Sequence, residues 1–158
     1  MDNKETSQNL SAQPSATSAQ LSSVIPPDTS IILFDGVCNL CNGAVQFIIL
    51  RDPQSHFMFA TQQSDAGEAL LQQFQIKAGK AGTIILIEGA QYFTRSTAAL
   101  RIAKHLRSLW PLVYAAILIP PFLRNAVYDY IARNRYRWFG RRDQCMMPTP
   151  EMKKRFLE

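Results

Sequence analysis

The regular spacing of hydrophobic residues begins only after the first 29 positions. Residues 1–29 are rich in Ser, Gln, Thr and Ala, hold no aromatic residue and show no periodicity. That is the composition of a disordered tail, which Pro26-Pro27-Asp28 closes. Ile31–Phe34 is a continuous apolar run and predicts a short buried strand. Leu40–Leu50 predicts a strongly apolar helix with Leu40, Ala44, Phe47 and Ile48 on its inner stripe. Asp52-Pro53 ends it, because the residue before proline is pushed out of the helical region. Phe57–Ala60 predicts a second strand. Ser64 or Asp65 can cap a helix to about Phe74, with Ala69, Leu70 and Phe74 inward.

The second half of the chain continues the pattern. Thr83–Glu88 is rich in β-branched residues, Glu88-Gly89-Ala90 is a tight connection and Gln91–Thr94 returns, which together predict a β-hairpin. Ser96 is placed to cap a helix to about Leu109, with Ala99, Ile102, Ala103, Leu106 and Trp110 inward. Pro111 starts a short helix that Pro120-Pro121 stops. Phe122–Trp138 predicts a last long helix with Leu123, Val127, Tyr130 and Ile131 as its inner stripe. No internal repeat is present. The order is β-α-β-α-β-β-α with a C-terminal helical extension. The β-α-β units imply parallel strands with helices on the sheet, and the hairpin adds an antiparallel strand.

Composition refines this picture. A chain of 158 residues fits one domain, here residues 30–148 between the tail 1–29 and a C-terminal tail 149–158. The three cysteines, Cys38, Cys41 and Cys145, are too few and too odd in number for the disulfide framework of a small secreted domain. No secretory signal is visible. The longest uncharged apolar stretch, Leu109–Leu123, is interrupted by Pro111, Pro120 and Pro121 and falls short of the roughly 20 residues a spanning helix needs. The expectation is a cytoplasmic protein. Charge is asymmetric: residues 1–94 hold four Lys/Arg and eight Asp/Glu, and residues 95–158 hold thirteen and four. The basic half suits either a solvated helix face or contact with an acidic partner or membrane surface through residues 109–142. Its aromatic members, Tyr128, Tyr136 and Trp138 among Arg133, Arg135, Arg137, Arg141 and Arg142, lie beside no nucleic-acid-binding motif, so no specific nucleic acid is expected.

The candidate chemistry lies at the first strand-to-helix junction, Asp35-Gly36-Val37-Cys38-Asn39-Leu40-Cys41. Free backbone N–H groups and the positive end of the helix dipole stabilise a thiolate there. Cys38 is the expected nucleophile in thiol–disulfide exchange, and Cys41, one turn inward, the resolving thiol. Asp35 either accepts the proton of Cys41, holds the loop by bonding backbone N–H groups, or simply makes a turn. The alternative for the two cysteines is that they pack as small hydrophobes. A zinc site is disfavoured, because C-x-x-C supplies two of four ligands and Cys145, His56 or His105 would have to converge from far away. No metal or cofactor is expected. Arg95 and Ser96 open the third helix near the same end of the sheet, where they either cap that helix or face the thiols.

Taken together, these residues resemble the DCC family of thiol–disulfide oxidoreductases. The matching pieces are Asp35–Cys41, the helix start Arg95-Ser96-Thr97-Ala98-Ala99, Ile119-Pro120 with Leu123-Arg124, and Val127–Tyr136 followed by Gly140-Arg141 and Cys145. The resemblance implies a thioredoxin-like fold and a redox-active dithiol with Asp35 beside it, and no particular substrate. Cys145 fits the family's C-terminal pattern, and either folds back near the dithiol or packs. Two departures separate the chain from thioredoxin proper. Asn39-Leu40 stands between the cysteines instead of Gly-Pro, and Gly79-Lys80-Ala81-Gly82 before the third strand holds no proline. The expected function is exchange of a disulfide with a protein or low-molecular-weight thiol, by default in the reducing direction. The rival is a non-catalytic binding module whose basic C-terminal helix docks on an acidic partner or membrane.

Overall fold

A computed structural model describes residues 25–77, 83–143 and 148–157. Strands are β1 (Ser30–Phe34), β2 (Phe57–Thr61), β3 (Ile85–Glu88) and β4 (Gln91–Thr94). Helices are α1 (Asn39–Arg51), α2 (Asp65–Gln73), α3 (Arg95–Lys104), α4 (Trp110–Val113) and α5 (Pro121–Phe139). Short 3-10 turns cover Tyr114–Leu118 and Lys153–Arg155.

The four strands form one sheet in the order β2-β1-β3-β4. All five residues of β1 are buried, as a strand covered on both faces requires. Ile32, Phe34, Phe57, Phe59 and Leu86 point to one face, where Val45 and Ile48 of α1 and Ala98 and Ile102 of α3 cover them. Ile31, Leu33, Ala60, Ile85 and Ile87 point to the other, against Ala66 and Leu70 of α2. Burying a side chain such as Leu33 or Ile32 contributes about 1.5–3 kcal/mol. Ser64 caps α2 by accepting from Gly67 N at 3.1 Å. Gly89, at φ +59°, makes the tight turn between β3 and β4. This is a thioredoxin-like α/β fold, as the element order implies.

Several details differ from the expectations. β1 and β2 are parallel, but β3 is antiparallel to β1, so the second β-α-β unit reverses direction. The buried positions of α1 are Asn42, Val45 and Ile48, with Leu40, Ala44 and Phe47 half-buried beside them. A helix that is apolar nearly all round gives no stripe from which to pick its inner side. In α3, Ala98 faces the sheet and Ala99 is exposed, and the helix stops at Lys104 rather than Leu109. Ser96 is not its N-cap. Thr94 holds that position without a side-chain bond, and Ser96 Oγ donates to Asn125 Oδ1 at 2.6 Å.

The largest reversal is in α5. Its expected inner stripe, Leu123, Val127, Tyr130 and Ile131, is exposed. The inward side carries Arg124, Asn125, Tyr128 and Arg135, with Arg135 buried. The C-terminal segment also differs from a tail. Leu157 is buried and its N–H donates to Phe59 O at 2.8 Å, Phe156 packs on Phe34 and Phe59, and Arg155 pairs with the buried carboxylate of Asp52. The N-terminal residues before position 25 and the segment Gly79–Gly82 lie outside the described residues.

Candidate dithiol site

The turn Asp35-Gly36-Val37-Cys38 joins β1 to α1 and is bonded at every residue. The Asp35 carbonyl accepts from Cys38 N at 3.3 Å, and its carboxylate Oδ1 accepts from Val37 N at 3.1 Å. Gln63 brackets the turn: Nε2 donates to Asp35 Oδ1 at 3.0 Å and Oε1 accepts from Gly36 N at 3.2 Å. Asn42, one residue beyond Cys41, donates to Gly36 O at 3.1 Å. Of the three readings of Asp35, the bond to Val37 N matches the loop-holding one.

Cys38 is the N-cap of α1, with φ −82° and ψ 120°. Its Sγ accepts from Cys41 N at 3.3 Å, in the place a serine or aspartate oxygen takes in an ordinary cap. Both thiols are free. An N–H donor and a helix N-terminus aimed at a sulfur are the arrangement that stabilises negative charge on it.

The exposure of the two cysteines is the reverse of the expected order. Cys38 has no exposed surface, and Cys41 is half-buried. The cover comes from the chain after α5. Residues 139–142 turn back across 37–39: Arg142 N donates to Val37 O at 2.8 Å, Asn39 N to Gly140 O at 3.5 Å, and Cys38 and Arg141 face each other as a bridge. The Asn39 side chain ties the strap from both sides, donating to Phe139 O at 2.8 Å and accepting from Arg142 Nε at 2.9 Å. Gly140 turns the strap at φ +81°, where a Cβ would stand 3.1 Å from Asn39 Nδ2.

α5 adds a polar network on the other side. Arg135 Nη2 reaches Asp35 Oδ2 at 3.3 Å, and Tyr136 donates its hydroxyl proton to the same oxygen while accepting from Arg135 Nη2 at 3.2 Å. Tyr128 Oη accepts from Ile84 N at 3.0 Å, just before β3. Burial pushes the Cys41 thiol up to about 12; the hydrogen bond and charge of Cys38 push the same way, Arg135 opposes and Asp35 adds. Burial likewise raises Tyr128, with Cys41 adding to it, and raises Tyr136. For Arg135, burial works against the charge, but Tyr136 and the two cysteines outweigh it and the pKa stands above the usual value.

Of the residues singled out from the sequence, Asp35, Cys38, Asn39 and Cys41 meet in one place, and Leu40 lies between them, half-buried. Arg95 and Ser96 are turned to α5: Arg95 pairs with Asp129 at 3.5 Å, and Ser96 with Asn125 and Arg124. Cys145 lies outside the described residues. Sequence reasoning missed Gln63, Asn42, Tyr128, Arg135 and Tyr136 as parts of the site. One signal was available: Arg124, Tyr128 and Arg135 recur at helical spacing and mark a polar face opposite the apolar stripe.

A profile described as DCC1-like thiol-disulfide oxidoreductase matches residues 32–141. The chain is 47% identical over 127 residues to the uncharacterized protein YuxK of Bacillus subtilis (strain 168), covering 80% of this chain and 93% of YuxK. It is 38% identical over 120 residues to a chloroplastic DCC family protein of Arabidopsis thaliana, covering 73% of this chain and 67% of that protein. No solved structure matches.

Proposed function

The chain belongs to the DCC1-like thiol-disulfide oxidoreductase family, and from that premise we propose that it exchanges disulfides through the Cys38–Cys41 pair. The observation that carries the reading is the Cys38 sulfur at the N-cap of α1 with the Cys41 N–H bonded to it. The Cys38 thiolate attacks a substrate disulfide, forming one S–S bond and releasing one substrate thiolate. Cys41 passes its proton, directly or through water, to the departing substrate sulfur and attacks the Cys38 sulfur of this mixed disulfide. The second substrate thiol leaves, and two electrons have passed from the dithiol to the substrate. Two thiols of a protein or small-molecule donor reduce the Cys38–Cys41 disulfide again and leave as the donor's disulfide.

The roles of the two sulfurs follow from their surroundings. Cys41, held protonated by burial, is a poor first nucleophile. In the mixed disulfide the hydrogen bond and charge of Cys38 no longer raise it, while the larger effect of burial stays and Arg135 still opposes it. Arg135 opposes the burial effect at Cys41, and Asp35, bonded to Arg135, Tyr136, Gln63 and Val37 N, holds the loop and the cation together. Asp35 and Arg135 are positioning residues in this scheme. Cys38 is covered by residues 139–142, so the strap opens before a substrate disulfide is attacked.

The test is paired substitution of the cysteines. Cys38→Ser abolishes disulfide reduction, and Cys41→Ser accumulates a substrate linked to Cys38, identified by mass spectrometry of the digested adduct. Full turnover by Cys38→Ser, or an adduct of Cys41→Ser carried on Cys145 instead of Cys38, contradicts the assignment.

A further inference from the structure

α5 carries an apolar strip along one side, but it is mounted with its polar side on the protein. Arg124, Asn125, Tyr128 and Arg135 face inward to Thr97, Ser96, the Ile84 N–H and Asp35. Phe122, Leu123, Val127, Tyr130, Ile131 and Trp138 are left in solvent, with Tyr130 and Trp138 packed edge to face at 5.6 Å. The preceding segment continues this surface. Leu109, Leu112, Leu118 and Ile119 are exposed, Leu118 to 86%. Large side chains exposed in such number, along one helix face and its lead-in, mark an interaction surface and not ordinary scatter.

Charge identifies the partner. Residues 104–142 contain eight Lys/Arg and a single acid, Asp129, which is paired with Arg95. Lys104, Arg107, Arg133, Arg137, Arg141 and Arg142 are all exposed. Arg133 and Arg137 sit on α5 beside the apolar stripe. A second copy of the chain would bring this positive set against itself. Apolar side chains with Trp and Tyr among them, flanked by uncompensated arginines, are what the boundary between headgroups and acyl chains of an anionic bilayer accepts. No helix among the described residues is long and apolar enough to cross a membrane, so the contact is one of surface docking.

We propose that the outward face of residues 109–139 docks the protein on an anionic phospholipid membrane. Docking by this face holds the dithiol site on the far side of α5, about one helix diameter, or about 10 Å, from the bilayer. The docking is independent of the redox reading, since it uses the opposite side of the helix.

The experiment is flotation of the full chain with vesicles of phosphatidylcholine alone, or of phosphatidylcholine mixed with phosphatidylglycerol. Binding is expected on the anionic vesicles, weakening with added salt and accompanied by a blue shift of tryptophan emission. Arg133→Gln with Arg137→Gln lowers partitioning about 25-fold, at about fivefold per charge. Leu118→Asp with Phe122→Asp lowers it at least as far, with an unchanged circular dichroism spectrum, because both side chains are already in water. Cys38→Ser binds as the parent does. Any of these results overturns the proposal: no flotation with anionic vesicles, undiminished flotation of the folded Leu118→Asp/Phe122→Asp chain, or a vesicle-free dimer that this double substitution dissociates. Retention on immobilised polyglutamate without vesicle binding overturns it in favour of an acidic protein.

Discussion

Replacing Asn39 with alanine tests whether the strap controls access to Cys38. The substitution removes two side-chain hydrogen bonds, to Phe139 O at 2.8 Å and from Arg142 Nε at 2.9 Å. Each lies at the surface and contributes about 1 kcal/mol net, so together they hold the strap by about 2 kcal/mol. Losing them raises the open population about 30-fold. The backbone bond from Arg142 N to Val37 O at 2.8 Å survives, so the strap is loosened and not lost. Alanine at the first helical position does not weaken α1. The assay is pulsed alkylation of the reduced protein under native conditions, with the Cys38 peptide followed by mass spectrometry. Where reclosing is fast, labelling tracks the open population, and Cys38 in Asn39→Ala reacts about 30-fold faster than in the parent. The urea midpoint serves as the control against general loosening. A Cys38 rate within about twofold of the parent, at unchanged global stability, would refute the reasoning and place the route to Cys38 elsewhere.

Two further predictions address the scaffold. Gly67→Ala puts a Cβ 1.9 Å from the Thr61 carbonyl oxygen, which is backbone and has nowhere to go; a loss of about 3 kcal/mol is expected in urea unfolding, and a loss under about 1 kcal/mol would contradict it. His105, stacked on His56 at 4.2 Å, has its pKa lowered, first by burial and then by His56. The unfolded chain therefore takes up this proton at higher pH than the folded one, and the stability contribution is present above the unfolded value of 6.5 and lost as pH falls below it toward the folded value. Denaturation midpoints should fall through that window in the parent and fall less in His105→Gln; identical profiles would count against the assignment.

The sequence by itself determined the features that are local. The strands, the helices, the hairpin and the place of the Cys38–Cys41 pair follow from runs, spacings and caps within a few residues of one another. The position of Cys38 at the start of a helix is one such feature, since a strand-like run and a helix-like run meet there. The tertiary structure decided everything that depends on which distant segment arrives. Asp35 meets Arg135 and Tyr136, 100 and 101 residues later, and the strap that hides Cys38 comes from the same region. The apolar stripe of α5 was legible, but its direction was not. Periodicity shows that a helix has two sides, and only the partners it meets decide which side turns inward. Here those partners are the Asp35 carboxylate, the Ile84 N–H and the Ser96 hydroxyl. Each needs a polar counterpart when buried, and the polar side of α5 supplies it, leaving the apolar side to the outside.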